Sequence, residues 1–257
     1  VDNAAGLDLI GPDTLVILVD HNTPARAQFP NIAEKVNTIV VIDHHRRGEE
    51  FIVSPILTYL EPAASSSVEL IVELCEYQKV ELKFIELDAT IMYAGMLVDT
   101  NYFKQRVGVR TFQSAAYLRD LQANVTQAYE FLEDSYDETL QKMSIAKAAY
   151  QYNPYILVAA GNEEEYYQRT ALAKACNTLL DVHGIKATFA IGKINQNTVC
   201  VSARSSKDIN VQVIMENMGG GGHFGMAAAQ FSDKTIEEVR LLLEETLENY
   251  LDDRGEM

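Results

Sequence analysis

The chain has 257 residues, of which 47% are hydrophobic and 23% charged, and this composition is typical of a folded globular protein rather than a disordered one. The formal net charge of −16 repels long polyanions, so duplex nucleic acid is excluded as an expected partner, whereas small nucleotides and divalent metal ions remain compatible. No apolar run approaches the roughly 18 residues of a membrane span. The three cysteines form no CxxC pair, so we interpret them as buried thiols in a reducing compartment.

Two short apolar runs near the start of the chain are each followed by an aspartate. Leu15–Val19 precedes Asp20, and Ile39–Ile42 precedes Asp43. Both runs are rich in β-branched residues and too short for buried helices, so they predict central parallel strands joined by a crossover around 33–35. Ligands of such sheets bind beyond the carboxyl ends of the strands. Both aspartates therefore lie where a site is expected.

Helical spacing of apolar residues predicts three helices in the rest of the first half, at Ser65–Cys75, Leu87–Leu97 and Thr111–Leu121. Another helix, over 137–150, is expected to stop before Pro154, because the residue before a proline is pushed out of the helical region. We take this helix as the link between two domains. The predicted organisation is a first domain over 1–134, a linker helix over 135–153 and a second domain over 154–257.

The second domain is predicted to be smaller and of mixed α/β type. Its predicted strands cover Tyr155–Val158, Ala187–Gly192, Val199–Ala203 and Met226–Phe231, and its predicted helices cover Thr170–Leu180, Ile209–Met218 and Ile236–Tyr250. The run Gly219–Gly222 precedes His223, and successive glycine N–H groups can form a nest for an anion. Arg204, just past a predicted strand, has a guanidinium group that could bind two oxygens of a phosphate held by this nest.

Carboxylate and imidazole side chains follow strand or helix ends in the first domain. They are Asp20, Asp43, His44, His45 and Asp99. This mixture suits Mn²⁺, Fe²⁺ or Zn²⁺, whereas ligation by oxygen alone is more typical of Mg²⁺. Two such metals about 3.5–4 Å apart can activate a water and stabilise charge on a phosphoryl group. The sequence therefore indicates a metal-dependent enzyme that cleaves phosphate esters.

The same residues carry a resemblance to a known family. Val19-Asp20, Ile42–Arg47, Val98–Thr100 and Gly219–His223 resemble successive motifs of the DHH phosphoesterase family. The second domain resembles the DHH-associated domain that often follows. Further strings resemble the catalytic region of cyclic di-AMP phosphodiesterases of the GdpP type from Gram-positive bacteria: Tyr59–Pro62, Ser65-Ser66, Val107–Phe112 and Ser202–Ser205.

The resemblance implies roles in the first domain. Asp20 matches a carboxylate that bridges two metal ions, with Mn²⁺ the expected metal, and His44 and Asp99 match ligands of one of them. His45 matches a catalytic histidine near the phosphate, and Asp43 matches a carboxylate that orients a histidine.

For the second domain, the resemblance implies a surface that holds the substrate across an interdomain cleft. The residues expected to bind substrate are Ser202, Arg204, Gly220, Gly221, Gly222 and His223.

One departure from the family is clear. Its first motif, a histidine and two aspartates in a short run, should precede Asp20, yet residues 1–19 contain no histidine. Either an N-terminal part of the domain is absent or this copy is degenerate, and the missing initiator methionine favours the former. The resemblance also implies a cytoplasm-facing soluble region of proteins that are anchored in the membrane upstream.

The expected reaction is hydrolysis of cyclic di-AMP to the linear dinucleotide. Two alternatives stay open: an oligoribonuclease or 3′-phosphoadenosine phosphate phosphatase of the same family, or a degenerate module that binds a nucleotide without cleaving it. A homodimer, formed through the helix at Ser65–Cys75 or through the linker, also stays open.

Overall fold

The computed structural model describes residues 10–11, 13–24, 27, 32–47, 51–80, 82–206 and 208–254. The chain divides into two compact units, Val1–Glu133 and Asp134–Met257, and each has its own sheet. The first sheet is parallel and the second mixed, so the predicted α/β class is confirmed. Among the described residues, no helix is long and apolar enough to cross a membrane.

In the first unit, helices accompany a parallel sheet whose described strands have the order β1-β2-β3. The elements are β1 (Leu15–Val19), α1 (Ile32–Lys35), β2 (Thr38–Asp43), β3 (Leu57–Leu60), α2 (Ser67–Tyr77), α3 (Glu86–Asp99), α4 (Val109–Asp120) and α5 (Val125–Glu130). The predicted strands and helices are all present. Strand β3 and helix α5 were not predicted, since each is short and neither carries a continuous apolar run.

The two predicted strands of the first unit differ in burial. Val41 of β2 is buried with Leu18 of β1 on one face of the sheet, and Val40 of β2 is buried on the other face with Leu70 of α2. On β1, in contrast, Ile17 is 53% exposed. Among the described strands β2 is therefore central, while β1 lies at the edge.

The second unit contains a mixed sheet with the strand order β4-β5-β6-β7-β9-β8. Its elements are α6 (Tyr136–Lys147), β4 (Ala149–Asn153), β5 (Ile156–Ala160), α7 (Arg169–Leu180), β6 (Ala187–Asn195), β7 (Thr198–Ser205), α8 (Val211–Asn217), β8 (Gly221–His223), β9 (Met226–Ser232) and α9 (Ile236–Arg254). A continuous core that includes Phe189, Val201 and Leu243 lies between the sheet and helices α8 and α9. Cys176 and Cys200 are buried as expected, whereas Cys75 of the first unit is only partly buried.

The predicted linker helix over 135–153 is wrong in its second part. Helix α6 begins after the N-cap Ser135 and ends at Lys147, and residues 149–153 form β4, which pairs antiparallel with β5. Tyr150 and Tyr152 favour a strand because aromatic side chains pack well on a pleated surface. Helix α6 itself packs within the second unit, where Ile145 is fully buried.

The glycine run is also not the loop that the sequence predicted. Gly221–His223 form β8, an edge strand that pairs antiparallel with β9. A Cβ atom on Gly222 would lie 2.4 Å from Cα of Ala227, and one on Gly220 would lie 2.2 Å from the carbonyl oxygen of Ala228. These two glycines are therefore needed because the segment passes so close to β9.

Candidate functional site

Asp20 lies where β1 ends, directly beside the end of β2. Its N–H donates to the carbonyl of Ile42 at 3.0 Å, which extends the parallel ladder by one residue. The backbone then turns through a left-handed conformation with φ of 69° at Asp20. This turn leaves the carboxylate 3.4 Å from Nε2 of His44, the residue that follows β2.

His44 is buried, and its surroundings define the state of its ring. Nδ1 lies 3.3 Å from the carbonyl of Ala64, and because a carbonyl can only accept, Nδ1 carries a proton. Nε2 is buried without a hydrogen-bond partner among the described residues and faces Asp20. A histidine that donates from one ring nitrogen to a carbonyl and leaves the other open is oriented as a metal ligand.

Three side chains of this region could hold a metal ion together. One potential ligand atom each from Asp20, His44 and His45 lies within 4.8 Å of the other two. The carboxylate and two imidazoles match the donor set of Mn²⁺, Fe²⁺ or Zn²⁺, and the unpartnered Nε2 of His44 gives such an ion a ready ligand. The residues present therefore fit a divalent transition metal.

Asp43 is fully buried and orients His45. Its Oδ1 accepts from the N–H of His45 at 3.1 Å and lies 2.7 Å from Nδ1 of the same histidine. Its Oδ2 accepts from the side-chain amide of Asn22 at 2.6 Å. Asn22 also donates to the carbonyl of His45 at 3.3 Å. Both carboxylate oxygens of Asp43 are thus engaged inside the protein, and Nδ1 is the ring nitrogen of His45 that Asp43 holds.

Asp99 is the last residue of α3, and it adds a second carboxylate to the neighbourhood of Asp20. Burial raises the pKa of Asp99, a hydrogen bond from the Ser66 hydroxyl opposes that rise, and repulsion from Asp20 adds to it. Asp99 is not part of the group whose ligand atoms lie within 4.8 Å of one another among the described residues. The structure brings it near the cluster rather than into it.

The charges of Asp20 and His44 are coupled. Burial is the largest single influence on both groups and works against each charged form. The attraction between the two side chains, together with the contact of Ser67 with Asp20 and that of the Ala64 carbonyl with His44, outweighs burial, so that the pKa of Asp20 is lowered and the pKa of His44 is raised. Without a metal ion, His44 therefore holds a proton on Nε2 more readily than a free histidine does. A metal ion and this proton compete for the same nitrogen.

In the second unit, several of the expected substrate-binding residues share one face of the sheet. Opposite residues of neighbouring strands lie on the same face, and β9 aligns Ser202 with Gly221 and Arg204 with His223. The side chain of Met226, which lies between Arg204 and His223, is partly exposed.

Arg204 contributes an unusual guanidinium group to this face. Nη1 donates to the carbonyl of Ala203 at 2.9 Å, but Nε is buried with no partner in the described part of the chain. Burial lowers the pKa of Arg204, and an arginine nevertheless stays charged in proteins. An anion beside Nε would satisfy both the orphaned donor and the charge.

The predicted anion nest of the glycine run is only partly compatible with the structure. The N–H of Gly219 donates to the carbonyl of Glu216 at 2.9 Å, and the N–H of Gly220 donates to the carbonyl of Met215 at 2.7 Å. Both donors thus close the end of α8 and are not available to a phosphate. That Gly220 binds substrate stays a prediction, and in this structure its N–H is engaged within the end of α8.

The sequence did not reveal every residue of the site. Asn22 is two residues past Asp20, and its position directly after a strand was the only hint of a role. Ser67 lies in a predicted helix with no sign of a role in the site, yet its Oγ donates to Oδ1 of Asp20 at 2.8 Å. That contact joins residues 47 positions apart and could not be inferred from local pattern.

Two family models match the chain, one in each half. The DHH family, N-terminal domain, matches residues 2–96, and the DHHA1 domain matches residues 153–250. The chain therefore contains a DHH domain followed by a DHHA1 domain. The family resemblance seen in the motifs is thereby confirmed.

Among curated proteins, the chain is similar to two cyclic-di-AMP phosphodiesterases that share the name GdpP. It is 40% identical to the cyclic-di-AMP phosphodiesterase GdpP of Bacillus subtilis and 44% identical to that of Geobacillus thermodenitrificans. Each match covers 96% of this chain but only 38% and 37% of those proteins, respectively. The chain therefore spans little more than a third of the length of these relatives.

A solved structure supports the fold. An exopolyphosphatase-related protein from Bacteroides fragilis superposes with a TM-score of 0.85, over 96% of this chain and 74% of that one. The sequence identity is 20%, so this likeness concerns the fold alone.

Proposed function

We propose that this chain is the catalytic region of a metal-dependent phosphodiesterase that hydrolyses cyclic di-AMP to the linear dinucleotide. The observation that carries the proposal is the cluster of Asp20, His44 and His45, with its buried and unpartnered imidazole nitrogen. The names of the relatives at 40% and 44% identity supply the substrate. Because the chain spans only part of those relatives, activity and substrate are our inference for this protein.

In this proposal, Asp20, His44 and Asp99 hold metal, and Mn²⁺ is the expected ion, with two ions in a complete site. Metal ions bound there would lower the pKa of a coordinated water and stabilise the charge on the phosphoryl group. The donor set supports a transition metal over Mg²⁺, because the imidazole of His44 accompanies the carboxylates. Residues 1–19 contain no histidine to serve as a further ligand, and the chain covers only 38% and 37% of the length of the two GdpP relatives.

His45 and Asp43 would act on the phosphate itself. Asp43 accepts from Nδ1 of His45, so that the imidazole is held with Nε2 directed away from the buried carboxylate. A proton on Nε2 can then be donated to a phosphate oxygen, and Asp43 stabilises the imidazole while it carries that proton.

The second unit would hold the remainder of the substrate. Ser202, Arg204, Gly221 and His223 lie on one face of the sheet, where Arg204 keeps a buried donor without a partner among the described residues. Gly222 would keep the path of β8 close to β9, and so shape this face without contacting the phosphate.

The test is an assay of cyclic di-AMP hydrolysis in a version of the chain extended upstream of Val1 to include the family's first motif, with Mn²⁺ and with chelator. Asp20→Asn and His44→Gln should each lower turnover by at least about 100-fold, because loss of groups that merely support ligands already costs about 10–100-fold. His183→Gln, which changes an exposed histidine of the second unit, is the matched control and should leave turnover unchanged.

Competing substrates separate the alternatives. Preference for linear dinucleotides or 3′-phosphoadenosine phosphate over cyclic di-AMP would replace the proposed substrate with one of the family's other substrates. Nucleotide binding that persists in chelator, with no turnover of any of these compounds, would refute an enzyme and leave a binding module.

A further inference from the structure

A short segment at the start of α2 contacts two of the proposed metal ligands. The carbonyl of Ala64 accepts from Nδ1 of His44 at 3.3 Å, and the hydroxyl of Ser67 donates to Oδ1 of Asp20 at 2.8 Å. Between these two residues, Ser66 is fully buried and caps α2, and its hydroxyl opposes the rise in the pKa of Asp99. The segment Ala64–Ser67, which we call the ligand-support segment, is buried throughout.

Ser66 fixes the start of α2. Its hydroxyl oxygen accepts from the N–H of Val68 at 3.2 Å and thereby caps the helix. Because Ser67 is the first residue of that helix, a shift of its first turn would move the hydroxyl that donates to Asp20.

The ligand-support segment is held in place by a series of hydrogen bonds through buried hydroxyl groups. Ser65 donates its one hydroxyl hydrogen to Glu69, so the contact of 3.1 Å between Ser65 and Thr111 must be donated by Thr111. Thr111 in turn accepts from the N–H of Gly108 at 3.0 Å. Ser65, Glu69 and Thr111 are each at most 2% exposed, so water does not compete for these bonds.

A second tie runs beside the first. Tyr59 of β3 donates to Glu73 of α2 at 2.6 Å, and Arg110 of α4 contacts both of these side chains. Helix α2 is therefore joined to β3 and to the N-terminal end of α4 by polar groups. This explains the short strings around Tyr59, Ser65 and Arg110, which no proposed step of catalysis uses.

We propose that Ser67 is a positioning residue, which holds Asp20 in the arrangement that binds metal, that Ser66 supports it by capping α2, and that Thr111 supports the segment from α4 through Ser65. This inference rests on the proposed metal site but not on the identity of the substrate. Outer partners of ligands typically change metal affinity by about 10–100-fold when they are removed. Ser67→Ala should therefore raise the dissociation constant for Mn²⁺ by about 10-fold or more, and Ser66→Ala should raise it by less, because Ser66 acts through the helix cap.

The experiment titrates Mn²⁺ into the extended protein described above and follows free Mn²⁺ by electron paramagnetic resonance, alongside turnover at saturating Mn²⁺. Ser67→Thr, which keeps the hydroxyl, should restore affinity relative to Ser67→Ala. Thr111→Val, which keeps the volume of the side chain and removes the hydroxyl, should weaken Mn²⁺ binding by less than Ser67→Ala does. A positioning role predicts that saturating Mn²⁺ recovers most of the turnover of Ser67→Ala.

The control is Ser135→Ala, which removes a serine N-cap of the same kind from α6 in the second unit. It should lower the melting temperature without changing Mn²⁺ affinity. Unchanged affinity in Ser67→Ala, or an equal loss in Ser135→Ala, would overturn the positioning role, and so would a parent protein that binds no Mn²⁺. A parent that binds Mn²⁺ with the expected variant pattern but leaves cyclic di-AMP intact would support the positioning role and refute the proposed substrate.

Discussion

The two units carry their functional groups in different ways. In the first, Asp20, His44 and Asp99 stand at the ends of strands and a helix, next to a sheet whose edge strand is half exposed. In the second, Ser202 and Arg204 lie within a strand of a sheet that is backed by one continuous core. Residues at the ends of strands and helices can converge on one point from several elements, as a metal ion requires. Residues within a strand instead present their side chains at fixed spacing along a surface.

The comparison predicts that stability is concentrated in the second unit's core. Phe189→Ala in β6, where the side chain is fully buried, should cost about 3–5 kcal/mol, because it removes a large apolar group and leaves a cavity. Ile17→Ala in β1, where the side chain is 53% exposed, should cost no more than about 1 kcal/mol. Urea unfolding of both variants measures the difference, and similar losses would contradict the contrast between the two sheets.

The glycine run offers a smaller and sharper test within the second unit. Gly222→Ala should destabilise the unit by about 1–3 kcal/mol, because the new methyl group would overlap the backbone of β9. Gly221→Ala is its matched control, since a Cβ atom there meets nothing within 4 Å, and it should change stability by less than about 0.5 kcal/mol. Urea unfolding gives both values. If Gly221→Ala proved as harmful as Gly222→Ala, close approach to β9 would not be what requires glycine.

The smallest expected effect concerns Asp134, at the start of the second unit. Hydrogen bonds from Lys142 and Lys174 lower its pKa below the ordinary value of 3.8. Because the unfolded chain then binds the proton more readily, this contribution to stability is present above about pH 4 and is lost as the pH falls below it. The effect should be about 1 kcal/mol, since Lys174 is partly exposed.

Urea unfolding at pH 7 and pH 3 checks this prediction. Asp134→Asn should destabilise the chain at pH 7 and match the parent more closely at pH 3. Asp120→Asn, at an exposed aspartate of the first unit, is the control and should show no such convergence. Equal differences from the parent at both pH values for Asp134→Asn would show that the lysine contacts add no stability.

Prediction from the sequence succeeded for residues whose position follows from a single strand or a short local spacing. Apolar runs followed by Asp20 and Asp43 predict strand ends at the same edge of a parallel sheet, and the structure has them there because β1 and β2 pair in register. The pairing of Asp43 with His45 follows from their spacing of two residues. The family, its two domains and the α/β class were within reach of the motifs alone.

Prediction failed where tertiary contacts decide the outcome. The predicted linker helix included residues 149–153, but these residues form a strand because they pair with β5. The glycine run suggested a phosphate loop, whereas the crowding of β8 against β9 gives a steric reason for its glycines. The contact between Ser67 and Asp20 depends on how α2 packs on the sheet, and no local pattern encodes such packing.

The left-handed backbone at Asp20 has a consequence for which residues the position can hold. A left-handed conformation costs most residues about 1–2 kcal/mol, and among residues with side chains Asn and Asp adopt it most readily. Glutamate would keep the charge but not this ease of conformation, and Asn would keep the conformation but not the charge. Position 20 therefore requires a residue that adopts the left-handed backbone conformation easily and also carries a negative charge, and Asp meets both requirements.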